Sequence, residues 1–186
     1  MKNDVARDIS YATSANGLMG QLFIRSIENI TGRNALIKRA RDYDVEVAKG
    51  RNFWEVMIER YNIKINLIKG SLEDIPKKGP VVIVSNHPFG ILDGLLLGYI
   101  LSKTRNDFKI IANRVFRKAK DLDEVVLPIS FEENREGNLQ NINTRNEAIR
   151  FLKGGGIVGI FPGGTVATSA KLFSCPLDPF WKRFTS

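Results

Sequence analysis

The stretch Val81-Val82-Ile83-Val84-Ser85-Asn86-His87-Pro88-Phe89-Gly90-Ile91-Leu92-Asp93-Gly94 decides how the chain is read. Four consecutive β-branched apolar residues form a short strand with no polar face, the pattern of a strand buried inside a parallel sheet. Pro88 stops that strand, and the apolar residues beyond it predict a helix over residues 92–102. Working downstream, residues 108–112 and 125–130 read as further strands. Residues 141–153 read as a helix with Ile142, Ala148, Ile149 and Leu152 on one side. Gly154-Gly155-Gly156 ends it, and residues 157–161 form another buried strand. Working upstream, Pro76 to Pro80 makes a turn, and Ile63, Ile65 and Leu67 alternate with polar residues as in a half-buried strand. Before that, helical spacing predicts helices over residues 5–30, 34–49 and 53–61, with Gly50 placed as a helix C-terminal glycine. The expected fold is α/β, a mainly parallel sheet flanked by helices with an N-terminal helical extension. The division is a helical region over residues 1–62 and an α/β domain over residues 63–186.

Composition restricts the chemistry. The 186 residues include one histidine, His87, and one cysteine, Cys175, so a zinc site built from several His or Cys ligands and an internal disulfide are both excluded. No metal site is expected. Cys175 precedes Pro176 without a histidine nearby, which suits a structural thiol. A reducing, intracellular setting fits this cysteine usage. Lys and Arg exceed Asp and Glu by 28 to 20, a formal charge of +8. That excess suits nucleic acid, an anionic membrane surface or a phosphorylated substrate without choosing among them. No signal peptide is expected, and the apolar run over residues 94–101 is far short of the roughly 20 residues that span a bilayer.

In parallel sheets ligands gather at loops leaving the carboxyl ends of strands. The loop quoted above places the sole imidazole there, with the carboxylate of Asp93 six residues on, near the start of a helix. An imidazole whose tautomer is fixed by a carboxylate can take a proton from a hydroxyl. The same residues also fit a structural histidine that caps the loop, and the pattern alone leaves both readings open.

The loop resembles the catalytic motif of the glycerolipid (lysophosphatidic acid) acyltransferase superfamily. It is most similar to a haemolysin-like acyltransferase branch whose motif reads N-H-P-F-G-x-x-D-G. The resemblance implies that His87 is the general base on an acceptor hydroxyl, which attacks an acyl thioester. Asp93 would orient the imidazole, and Asn86 would belong to the substrate-binding set. It implies no bound cofactor and no covalent acyl-enzyme, with acyl-CoA or acyl-carrier protein as co-substrate and a lysophospholipid or related lipid as acceptor. Five residues separate His87 from Asp93 here, one more than in the wider family.

A second block, Ile160-Phe161-Pro162-Gly163-Gly164-Thr165, is similar to the family's F-P-E-G-T motif and implies acceptor contacts from Phe161, Pro162, Gly163, Gly164 and Thr165. Gly163 replaces the usual glutamate and Val166 the usual arginine. Seven basic residues (Lys103, Arg105, Lys109, Arg114, Arg117, Lys118 and Lys120) against Asp107 make residues 103–120 strongly cationic. Arg114 and Arg117, with Arg135 behind them, are the candidates to hold an acceptor phosphate, because a guanidinium donates paired hydrogen bonds in a fixed fork. A solvated basic face is the other reading, and either suits attachment to the cytoplasmic face of an anionic membrane. The resemblance extends over residues 63–181, and the family's closing V-P motif is absent, so a C-terminally truncated chain is expected. The alternative function is a non-catalytic basic module binding lipid or nucleic acid. Nucleic acid is not expected, since no helix-turn-helix, RNA-recognition or zinc signature is present.

Overall fold

Among the described residues, four parallel strands form one sheet: β1 (Val81–Val84), β2 (Phe108–Asn113), β3 (Val126–Ile129) and β4 (Ile157–Ile160), in the order β1-β4-β2-β3. The computed structural model describes residues 33–132 and 134–163. The helix expected over residues 5–30, Cys175, Gly164 and Thr165 lie outside them. The chain divides into two compact units, residues 1–64 and 65–186, and the sheet belongs to the second.

Helices cover both faces of the sheet, and the alternation of β4 shows how. Val158 and Ile160 pack with Ile111, Leu127 and Ala148 beneath the long helix Arg135–Lys153. The intervening Gly159 faces the other way, where a side-chain carbon would lie 3.0 Å from Leu97 and 3.3 Å from Leu101 of the helix Ile91–Thr104. Successive strand residues point to opposite faces, so β4, buried at every position, carries both layers of core. The result is the expected α/β architecture with a wholly parallel sheet.

Several local expectations are corrected. β1 forms where predicted but lies at the sheet edge, so Val82 and Val84 are 53% and 49% exposed rather than buried. An unbroken apolar run reports strand propensity, whereas burial depends on what packs beside it. Residues 63–67 form no strand; Ile65 and Leu67 are exposed, and no sheet neighbour pairs with them among the described residues. The long helix begins six residues earlier than predicted, at Arg135, because Asn134 caps it by accepting a bond from Gly137 N–H at 2.7 Å. Ile142 and Ile149 are exposed on it, and Thr144 shares the inward face with Ala148.

In the first unit, the helix expected over residues 34–49 is two, Arg33–Arg39 and Tyr43–Ala48, broken at Asp42 with φ 57°. The break is held from Arg60, whose guanidinium donates to the carbonyls of Arg39, Arg41 and Asp42 and to Glu46. That bond to Arg60 holds the Glu46 carboxyl below the usual carboxylate range. A third helix, Phe53–Arg60, is capped by Asn52 and buries Phe53, Trp54, Val56, Met57 and Ile58.

One member of the basic stretch is structural. Arg105 is 7% exposed and donates to the carbonyls of Gly79, at 2.8 Å, Pro76 and Gly155, and to Asp107. It ties together three loops at the amino edge of the sheet and lowers the pKa of Asp107 through their hydrogen bond. Its charge is therefore satisfied within the fold.

Candidate active site

Because all four strands are parallel, the loops leaving their carboxyl ends share one edge of the sheet. His87 follows β1 and Phe161 follows β4, and these strands are neighbours paired Val84 to Ile160. Ser85 N–H donates to the Ile160 carbonyl at 3.1 Å, extending the ladder by one bond. The two candidate motifs thus leave the sheet side by side.

The His87 loop turns back on itself. Gly90 has φ 62° and ψ −117°, the values of the first central position of a type II′ turn, which favours glycine. It precedes the helix Ile91–Thr104 and brings Asp93, in that helix's first turn, under the loop. Asp93 Oδ2 accepts from Phe89 N–H at 2.7 Å and lies 3.2 Å from His87 Nδ1. Both side chains are mostly buried, at 19% and 12% exposure, and Nδ1 itself is shielded from solvent. The two side chains meet across the five intervening residues. The carboxylate is hydrogen-bonded by the Phe89 backbone, whereas Nδ1 approaches it within 3.2 Å without hydrogen-bond geometry. Catalytic hydrogen bonds commonly tighten only once substrate binds.

The imidazole is also held from its face. The Phe161 ring stacks on it with centroids 4.2 Å apart and planes inclined by 26°. Asp93 therefore addresses one edge of the ring and Phe161 one face. Nε2 is left as the nitrogen remote from the carboxylate.

A family model described as Acyltransferase matches residues 67–180. The chain belongs to the acyltransferase family. It is 38% identical over 82 residues to a lyso-glycine lipid O-acyltransferase of Phocaeicola vulgatus and 34% identical over 82 residues to one of Bacteroides thetaiotaomicron. In each case the match covers 44% of this chain and 29% of the relative's length. No solved structure matches. Membership of this family agrees with the resemblance carried by the His87 loop.

The remaining site residues of this acyltransferase-family chain are distributed unevenly. Arg114 follows β2 at the same edge as His87, with β4 between them in the sheet. Its guanidinium donates to Glu132, just beyond β3, at 2.6 Å. Arg117 is separated from them: it donates to Asp123 at 2.7 Å. It lines a cavity of about 540 Å³ with Asn106, Phe108 and Val125, which lie toward the amino ends of β2 and β3. Arg135 opens the long helix and is exposed. Asn86 is exposed beside His87, Pro162 and Gly163 are buried beyond Phe161, and Gly164 and Thr165 fall outside the described residues. Among the described residues there is no cluster of three or more metal-ligating side chains, and no helix is long and apolar enough to cross a membrane.

Sequence reasoning assigned Phe161 to the acceptor pocket and missed its stacking on His87. It also missed Glu132 as the partner of Arg114. Neither leaves a local signal, because both contacts join segments that only the sheet order brings together. The Gly90 turn was visible as a glycine, and its positive φ yields a test. Gly90→Val is expected to cost about 1–3 kcal/mol of stability, since a β-branched residue is strained there. The variant should unfold at lower temperature and lose turnover as Asp93 shifts from under His87.

Proposed function

We propose that this protein transfers a fatty acyl group from a thioester, acyl-CoA or acyl-carrier protein, to the hydroxyl of a lyso-lipid. The observation that carries the reading is the His87–Asp93 pair at the carboxyl edge of a parallel sheet in a chain of the acyltransferase family. With Asp93 accepting from Nδ1–H, the lone pair of Nε2 takes the acceptor's hydroxyl proton as its oxygen attacks the thioester carbonyl. The tetrahedral intermediate then collapses with cleavage of the carbon–sulfur bond. The thiolate leaves and receives the proton from the imidazolium, so the products are an ester and a free thiol. Asp93 stabilises the imidazolium between the two proton transfers.

The acceptor class is supported by the relatives, both named for a lyso-glycine lipid. A phosphate-bearing acceptor has less support, since Arg114 and Arg117 are each paired with a carboxylate. Glu132 neutralises Arg114, the arginine nearer the site, and a phosphate would have to displace it. The reading includes a peripheral membrane location, where the lipid acceptor resides, on the cytoplasmic side where the thioester donors are. The test is acylation by the full-length protein with palmitoyl-CoA and either lyso-glycine lipid or lysophosphatidic acid, followed by mass spectrometry. O-acylated lyso-glycine lipid with one thiol released per ester is the expected result. Product only from lysophosphatidic acid would overturn the acceptor assignment, and no product from either would overturn the function.

A further inference from the structure

Asp93 Oδ2 approaches the imidazole at one edge, 3.2 Å from Nδ1, and the Phe161 ring lies against its face. We propose that Phe161 is a positioning residue for the His87 imidazole, its ring fixing the plane in which Nε2 meets the acceptor hydroxyl. The inference rests on the reading of His87 as general base and assigns a second constraint to the same site.

Three observations support it. The rings are 4.2 Å apart and inclined by only 26°, so the phenyl group covers the face of the imidazole rather than its edge. Phe161 is the first residue beyond β4, and the Ser85–Ile160 bond joins its strand to the His87 strand at the point of exit. Its location is therefore set by sheet register. Pro162 follows, is buried, and confines the Phe161 backbone to extended conformations. The aromatic ring is thus mounted on rigid structure while the imidazole sits on a turn, which is the direction in which one would orient the other. A π-face also attracts the positive charge that the imidazole gains during proton transfer.

The test compares Phe161→Leu, which keeps apolar bulk, with Phe161→Tyr, which keeps the ring. Turnover is measured in the full-length protein with palmitoyl-CoA and lyso-glycine lipid. Phe161→Leu is expected to lower kcat about 10- to 100-fold, the scale of a small misplacement of a catalytic group. KM for either substrate should stay within about twofold, and Phe161→Tyr should restore kcat to within about threefold of wild type. Proton NMR supplies a readout independent of turnover, because His87 is the only histidine. Its ring protons, shielded by the stacked phenyl group, should move downfield in Phe161→Leu and not in Phe161→Tyr.

An unchanged kcat in Phe161→Leu, with turnover abolished in His87→Ala, would overturn the positioning role and leave the general base intact. Loss confined to the acceptor's KM would instead make Phe161 a substrate contact. Full turnover in His87→Ala would remove both readings. Imidazole resonances unchanged in Phe161→Leu would overturn the stacking itself.

Discussion

His87→Ala is expected to lower acyl transfer about 10²- to 10⁴-fold, the range that general-base catalysis supplies. No other residue can take over the role by the same chemistry, because the chain holds a single imidazole. The side chain packs between Phe161 and Asp93 and is largely buried, so the alanine variant also loses some stability. As a group proposed to act on the proton in the transition state, His87 should affect kcat rather than KM. His87→Gln, which keeps polar bulk without a basic nitrogen, should be equally impaired. Steady-state kinetics with thermal unfolding of both variants checks this: a deficit that tracks stability instead of the imidazole would contradict it.

The second large effect concerns the fold that carries the site. Leu127 is 1% exposed on β3 and packs with Ile111, Ala148, Val158 and Ile160 under the long helix. Leu127→Ala leaves a cavity in a close-packed layer and is expected to cost about 2–5 kcal/mol. For a chain of this size that is a fall in Tm on the order of 10 °C. The position is not adjacent to the dyad, which leaves the sheet from β1 at the opposite edge. Turnover per folded molecule at low temperature should therefore stay near wild type. A drop in kcat without a drop in Tm would show that β3 positions the chemistry and does not merely support it.

Much of the fold was legible where local pattern and tertiary role coincide. Apolar runs marked β2, β3 and β4, and the Gly154-Gly155-Gly156 stop marked the end of the long helix before β4. Failures occurred where a distant residue decides the outcome. Whether Val82 and Val84 are buried depends on β1 lying at the edge, which follows from strand order and not from their side chains. The break after Arg39 depends on Arg60, a residue on another helix. Alternation over residues 63–67 mimics a strand, yet a strand requires a partner.

The site divides in the same way. The proximity of His87 to Asp93 was legible because one short loop, turning at Gly90, holds both. Charge was less informative. Residues 103–120 look like one cationic surface, but Arg105 is turned inward, Arg114 and Arg117 carry carboxylate partners, and Lys109 donates to the Glu124 carbonyl. Their partners lie in other loops and helices, so sequence alone counts the charges without pairing them.

A double-mutant cycle on His87 and Asp93 tests most directly whether the pair acts as one catalytic unit. Initial rates of thioester-dependent acylation would be compared for wild type, His87→Ala, Asp93→Ala and the double variant, each below its own unfolding temperature. Since Asp93 acts on the reaction through the imidazole, the double variant should be no slower than His87→Ala alone, a grossly non-additive result. Rate losses that simply multiply would show the two side chains working independently, and would contradict the dyad.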